Sequence, residues 1–68
     1  MNKKSALKSI ERERKRQAIS ISEAARRSII TQSNWSRISN GLQEPTWDTL
    51  IGMAKAVGVI MEVKIRTH

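Results

Sequence analysis

Apolar residues recur at intervals of three and four along most of the chain, which is the spacing of one face of an α-helix. Four segments carry this pattern, and each follows a serine or threonine whose hydroxyl can cap a helix. We expect helices over about 6–17, 21–28, 32–39 and 47–57, capped by Ser5, Ser20, Thr31 and Thr46. The pattern therefore predicts an all-α domain of four or five short helices.

The periodicity changes to two after Gly58, which can end the last helix because glycine tolerates a left-handed backbone. Half of residues 59–66 are β-branched and their side chains alternate between two faces, so we predict one β-strand there. No other segment has a strand pattern, and a lone strand leaves its backbone hydrogen-bonding groups unpaired. We expect this strand to pair with the same strand of a second copy around a two-fold axis.

A dimer built in this way would pack one apolar face of the strand against the last helix of both copies. The dimer-interface residues that we predict are Trp47, Val59, Met61, Val63 and Ile65. Two alternatives stay open at this point. The chain could dimerise through the last helix and Trp47 alone, or its C-terminal segment could become ordered only on a partner.

The rest of the chain is organised around residues 20–41, which read as two short helices joined by a tight turn. Ser20 and Glu23 form a capping box at the start of the first of these helices. Ala24 and Ala25 are small enough to let the two helices cross closely. A helical pair of this kind is the helix-turn-helix of DNA-binding proteins.

The apolar residues around this pair should form its core. Ile19 should be buried, where it can pack against Ala24 as a hydrophobic staple. Ile29 and Ile30 should fill the turn, with Ile30 pointing inward, and Trp35 should belong to the core. The polar side of the second helix then faces away from the core.

The first helix of the chain has only a thin apolar stripe. Its inward positions would be Leu7, Ile10, Arg14 and Gln17. The charged run over residues 11–16 should be a solvated face in which Glu11 and Lys15 pair at i,i+4. Arg14 is the exception, because we expect it to face the end of the third helix.

The ordered set of residues at these spacings resembles the Xre/Cro/CI family of phage and bacterial repressors. The resemblance rests on Ser20 with Ala24-Ala25, on Ile30 to Ile38, on Asn40-Gly41, on Pro45 to Leu50 and on Ala54 to Val59. Family members usually carry a bulky apolar residue where this chain has Ala24, and Gln where it has Ile21. They also usually carry Gly in place of Ile29 and Glu in place of Ser39. The change at Ile21 removes one common DNA contact, and the change at Ser39 removes a common salt bridge to the first helix.

The resemblance implies that the second helix of the pair enters the major groove of DNA. Its base contacts would be Gln32, Ser33 and Arg37, with Asn34 and Ser36 contacting a base or a phosphate. The chemistry is suitable, because glutamine can hold adenine and arginine can hold guanine through two hydrogen bonds. Phosphate contacts, which position the protein without reading sequence, are predicted at Ser20, Ile21, Asn40 and Gly41.

The ending of the chain, residues 57–65, is similar to the ending of HipB-type antitoxins. The resemblances together imply a dimeric repressor that recognises a palindromic operator in double-stranded DNA. It would be either a stand-alone regulator or the autoregulating antitoxin of a HipA/HipB-type module. Its partners would be the operator, a second copy of the chain and, in the antitoxin case, a HipA-like kinase toxin.

The charge distribution points to a polyanionic partner. The chain has 68 residues, enough for one small domain, and a net charge of +7. The whole excess of positive charge lies in residues 1–37, because basic and acidic residues are equal in number over the remainder. We predict a single DNA-binding domain over 1–68, with a loose basic arm at 1–4, a helical core at 5–58 and a dimerisation strand at 59–66.

Composition argues against several other classes of function. The chain has no cysteine, its one histidine is the terminal His68, and no carboxylate pair suits a catalytic pocket. We therefore expect no enzyme activity, cofactor or metal site. The basic N-terminus lacks the apolar segment of a secretory signal, and no apolar run approaches a membrane span of about 20 residues.

We accordingly expect a cytoplasmic, nucleoid-associated protein that a bacterium or phage encodes. The alternative function is non-specific binding of RNA or DNA by a basic protein. That alternative has little support from aromatic residues, because only Trp35 and Trp47 could stack on bases, and both have helix-core spacing.

Overall fold

The computed structural model describes residues 2–60, which form four α-helices. These are α1 (Lys3–Arg16), α2 (Ile21–Arg26), α3 (Gln32–Ser39) and α4 (Trp47–Ala56). Helices α1 and α2 both pack against α4, and α2 packs against α3 to form the helix-turn-helix pair. Within this described region no helix is long and apolar enough to cross a membrane. The four helices confirm the prediction of a mostly helical fold.

The first helix, α1, begins at Lys3, nearly one turn before the predicted start at Ala6. Asn2 caps it, because its side-chain oxygen accepts a hydrogen bond from the backbone N–H of Ser5 at 2.8 Å. Asparagine is as effective as serine in this role, so cap preference alone does not decide between Asn2 and Ser5, and Asn2 is the cap in the structure. Lys3 and Lys4 are therefore helical and do not belong to a loose arm.

The second helix, α2, ends at Arg26, earlier than the predicted end near Ser28. The Ser28 hydroxyl donates to the carbonyl of Ala25 at 3.1 Å and accepts from the N–H of Ile30 at 3.1 Å. Side-chain bonds of this kind compete with continued helix, so the chain turns at Ser28. The predicted bounds of α3, Gln32–Ser39, are confirmed.

The turn between α2 and α3 contains one inward isoleucine. Ile30 is half-buried against the core as predicted, whereas the side chain of Ile29 is 101% exposed. The prediction that Ile29 also fills the turn is wrong, because the bond between Ser28 and Ile30 leaves the intervening residue on the outside of the bend. Ile29 does not have a positive φ, so the backbone here has no need for the glycine that is usual in the resembling family.

The core is centred on Trp35, which is the largest fully buried side chain among the described residues. It lies in one apolar cluster with Ile10 of α1, Ala24 of α2 and Leu50 of α4. The predictions that Trp35 and Ile19 are core residues are both confirmed. Because the apolar side of α3 is held in this core, the opposite side of the helix is fixed toward solvent.

The predicted strand at 59–66 lies mostly outside the described residues, and no strand is present in the part of the chain that is described. Its first residue, Val59, instead closes the end of α4. The N–H of Val59 donates to the carbonyl of Ala54 at 2.8 Å, and the N–H of Gly58 donates to that of Lys55 at 3.2 Å. These two bonds form a Schellman motif, for which Gly58 adopts a φ of +78°.

Candidate DNA interface

The exposed face of α3 is set by where the helix begins and by what it buries. The side-chain oxygen of Thr31 accepts the N–H of Asn34 at 3.2 Å and so starts the helix at Gln32. Trp35 and Ile38 point into the core from the opposite side. The side chains at the start of α3 and one turn later are therefore presented together, as a recognition helix requires.

Four of the five predicted base-contacting residues line one shallow groove on this face. They are Gln32, Ser33, Ser36 and Arg37. The fifth, Asn34, is half-buried and does not line the groove. Together these side chains offer amide, hydroxyl and guanidinium groups, which can bond to the edges of bases.

The guanidinium of Arg37 is available for a ligand. Arg37 is exposed and forms no ion pair with any residue in the described part of the chain. An arginine of this kind can bind guanine through two hydrogen bonds. Its contact with a base stays a prediction, and so do the contacts of Gln32 and Ser33.

A partly buried polar cluster fastens the end of α3 to α1. The Glu11 carboxylate accepts hydrogen bonds from Arg14 Nε at 2.5 Å and from the hydroxyl of Ser39. Arg14 also donates to the carbonyl of Ile19 at 2.7 Å. Only 15% of the Glu11 side chain and 12% of the Arg14 side chain are exposed, so these bonds hold α3 in place beneath its exposed face.

This cluster corrects one prediction and adds to another. The predicted pair of Glu11 with Lys15 is wrong, because Arg14 takes the carboxylate at a spacing of i,i+3. Ser39 does lack a direct salt bridge to Arg14, as predicted, but Glu11 restores the link between α1 and α3 by contacting both residues. The spacing in the sequence allowed either pair, since both i,i+3 and i,i+4 neighbours on a helix are close enough to interact.

The pKa of Glu11 follows from these contacts. Burial alone would raise its pKa, but the hydrogen bonds from Arg14 and Ser39 outweigh burial and lower the pKa below its ordinary value. Glu11 is therefore ionised at neutral pH, when the cluster is fully formed.

The predicted phosphate contacts at the end of α3 need revision. The backbone amides of Asn40 and Gly41 donate to the carbonyls of Ser36 and Ile38 at 3.0 and 3.1 Å. The N–H of Leu42 completes a second Schellman motif, so this helix end offers no amide to a phosphate. The side chain of Asn40 is exposed, and it stays the predicted contact at this position.

The two phosphate contacts predicted at the start of α2, Ser20 and Ile21, differ in which groups they leave available for a phosphate. Ser20 is exposed, but its side-chain oxygen accepts the N–H of Glu23 at 3.1 Å, which leaves only its hydroxyl hydrogen for a phosphate. Ile21 packs partly against the core, and its N–H has no acceptor in the described part of the chain. The amide of Ile21 therefore stays a predicted phosphate contact.

The predicted dimer interface is described only in part. Trp47 and Val59 are half-buried against the core, and the neighbouring Ile60 is 92% exposed. Val59 and Ile60 line an apolar depression at the end of α4 together with Ile51. Three further residues predicted for this interface, Met61, Val63 and Ile65, lie outside the described residues.

Comparison with known proteins agrees with this geometry. A family model for a helix-turn-helix domain matches residues 9–66, which is most of the chain. No curated protein and no solved structure matches the chain. The matched range contains α2, α3 and every residue predicted to contact DNA, so the helix-turn-helix prediction is confirmed and the domain suggests DNA binding.

Proposed function

The chain belongs to the helix-turn-helix domain family, and on that premise we propose that it is a sequence-specific regulator of transcription. It would bind double-stranded DNA as a dimer and repress from a near-palindromic operator. The observation that carries this proposal is the groove on α3, where Gln32, Ser33, Ser36 and Arg37 lie side by side. Trp35 anchors the opposite side of the same helix in the core.

The spacing of these residues supports base reading. Ser33 and Arg37 are four residues apart and so share one face of α3, with Gln32 beside them. An α-helix fits the major groove of B-form DNA, where each base pair presents a distinct pattern of donors and acceptors. Gln32 suits adenine and Arg37 suits guanine, so the face can distinguish sequences as well as bind DNA.

The described residues give less support to general binding of single-stranded RNA or DNA. That function relies on exposed aromatic side chains on which bases stack. The two tryptophans are the only aromatic residues of the chain, and Trp35 is fully buried. Trp47 is half-buried against the core, which leaves polar side chains as the main recognition groups of α3.

The dimer is the part of the proposal that explains a palindromic operator. Two copies related by a two-fold axis would place their α3 helices in successive major grooves about 34 Å apart. We propose that the second copy packs on Trp47 and the apolar end of α4, with residues 59–66 pairing between copies. The exposed Ile60 supports this choice, because burying it against a second copy removes apolar surface from water.

A narrower form of the proposal is an autoregulating antitoxin with a HipA-like kinase toxin as its partner. It rests on the resemblance of residues 57–65 to the ending of HipB-type antitoxins. If it is right, we expect an adjacent gene to encode a HipA-like kinase, and the two purified proteins to form a complex. An isolated gene would leave the regulator proposal in place and remove the antitoxin.

Footprinting of the promoter of its own gene tests the proposed function. We expect protection of two half-sites whose centres are about one helical turn apart, at a protein concentration that leaves flanking DNA unprotected. The matched control is Arg37→Ala, which should lose the footprint while its helix content stays unchanged. Protection spread evenly over the whole fragment would identify a non-specific DNA-binding protein.

A further inference from the structure

A cation-lined cleft lies beside the exposed groove of α3, where α1 approaches the start of α2 and the end of α3. Its polar lining comprises Lys8, Glu11, Arg14, Lys15, Ser39 and Asn40. We infer that Lys8 and Lys15 bind phosphates of the DNA backbone in this cleft. The inference rests on the proposed DNA-binding function and identifies which cations of α1 contact the DNA.

Ion pairing separates the basic residues into two groups. Several are held by acids: Lys3 by Glu44, Arg14 by Glu11, Arg16 by Glu13, and both Arg26 and Arg27 by Glu23. Four cations of α1, Lys4, Lys8, Arg12 and Lys15, are exposed and form no ion pair with any residue of the described region. Of these four, only Lys8 and Lys15 line the cleft. Their ammonium groups are therefore not neutralised by a neighbouring acid.

The one carboxylate in the cleft does not cancel the charge of these lysines. Glu11 lies between Lys8 and Lys15 along α1, but its two oxygens accept bonds from Arg14 and Ser39. Because Arg14 balances the charge of Glu11, the cleft keeps the positive charges of both lysines. A lysine ammonium is a compact point charge and binds phosphate without the planar geometry that arginine needs.

The spacing of the lysines favours a polyanion over a single anion. Lys8 and Lys15 are two helical turns apart, so they lie on the same side of α1 with about 10 Å between them along the axis. One free phosphate would satisfy one lysine, whereas a nucleic-acid backbone presents phosphates at regular intervals to both. The sequence alone could not single out these two lysines, because it does not show which partner Glu11 takes.

The position of the cleft identifies the backbone as that of the DNA read by α3. Ser39 and Asn40, at the end of α3, form one wall of the cleft. The exposed groove of α3 that is predicted to contact bases lies on the same helix. When α3 enters a major groove, the sugar-phosphate backbone that borders the groove runs past the ends of the helix. The lysines of α1 would contact the phosphates of that backbone from the α1 side of the cleft.

The salt dependence of binding to a random-sequence duplex tests this inference, because it needs no knowledge of the operator. Each phosphate contact contributes about 0.9 to the slope of log K against log salt. Lys8→Gln and Lys15→Gln should each reduce the slope by about 1, and the double variant by about 2. Lys8→Arg and Lys15→Arg keep the charge in the cleft, so they should retain the slope.

Lys4→Gln is the matched control, since it removes the same charge from an exposed lysine of α1 that does not line the cleft. It should leave the slope close to that of the wild type, and circular dichroism should show unchanged helix content in all variants. Equal reductions in Lys4→Gln and the cleft variants would overturn the inference, because total charge would then explain the effect.

Two other outcomes also decide the matter. If the wild-type protein binds the duplex and the cleft variants keep its slope, the lysines do not contact phosphates, although the proposed function survives. If the wild-type protein does not bind duplex DNA at any salt concentration, the proposed function and the inference fail together.

Discussion

At the scale of single residues, the reading groove depends on Gln32 and Arg37. Replacing Arg37 with alanine should weaken binding to the operator by about 1–3 kcal/mol and relax the choice of one base pair, because a bidentate contact would be lost. Gln32→Ala should have a similar effect at a neighbouring position. Titrations with the operator and with duplexes mutated at single positions measure both effects. Equal losses on operator and random DNA would instead assign these residues to phosphates.

Residue burial could be predicted where a periodic pattern determined it. Trp35 and Ile38 are three apart on a helix, and this spacing was enough to predict that Trp35 lies in the core, where Ile38 is buried as well. Ile29 could not be placed in the same way, because its exposure depends on two hydrogen bonds of the Ser28 hydroxyl. The role of Glu11 also required the fold, since Ser39 is distant in sequence.

Glu11 should make stability depend on pH in the acid range. A carboxyl group whose pKa is lower in the folded protein stabilises the fold above its unfolded pKa, near 4.5. This contribution is lost as the pH falls from that value through the lowered folded pKa. Glu11→Gln should therefore be less stable than the wild type at neutral pH, and its stability should fall less steeply below about pH 5. Chemical denaturation at several pH values measures both changes.

Glu13 provides the control for this prediction. Arg16 and Gln17 also donate hydrogen bonds to Glu13, but the Arg16 side chain is 68% exposed, compared with 12% for the Arg14 side chain that pairs with Glu11. Solvent screens such a pair, so Glu13→Gln should change the acid-range stability little. If the two variants lost stability equally at neutral pH, the partly buried cluster would have no special role.

At the scale of secondary-structure elements, helix positions could be predicted more readily than helix ends. Capping residues and apolar spacing located all four helices, yet both Asn2 and Ser5 could cap α1, and no local feature favours one of them clearly. Long-range bonds decide other details. Gln17, for example, donates its side-chain N–H to the carbonyl of Val57 at 2.8 Å and so ties the ends of α1 and α4 together.

The end of α1 contains an unfavourable residue that can be improved. Ala18 has a φ of +56° in a Schellman motif, a conformation that favours glycine. Ala18→Gly should stabilise the protein by about 0.5–1 kcal/mol, since relief of the left-handed strain exceeds the entropy that glycine adds to the unfolded chain. Thermal unfolding measures the change. Ala6→Gly, inside α1, should destabilise, and a loss of stability in both variants would contradict the assignment.

At the scale of the whole molecule, the proposed dimer can be tested by shortening the chain. Deletion of residues 61–68 removes most of the predicted strand and keeps Val59, whose N–H completes the end of α4. The shortened protein should keep its helix content, sediment as a monomer and bind the operator more weakly, because only one α3 would then be placed per complex. A truncated protein that stays dimeric and binds undiminished would move the dimer contact to Trp47 and α4.

The uneven distribution of charge predicted a polyanionic partner from sequence, but the contact surface needed the fold. The excess positive charge lies in the half of the chain that contains α1, α2 and α3. Which of these cations lacks an ion pair depends on the acids beside it, and Glu23, for example, pairs with two arginines. The positions of the unpaired cations relative to the exposed groove of α3 therefore become visible only in the folded structure.

The central claim is that the chain recognises a particular DNA sequence, and one competition measurement tests it most directly. A duplex enriched by selection from a random pool is compared with a random-sequence duplex at one fixed salt concentration. Specific proteins of this kind bind their site about a thousandfold or more tighter than other DNA, and we expect a preference of that order for the wild-type chain. Equal affinity for the two duplexes would contradict sequence-specific recognition.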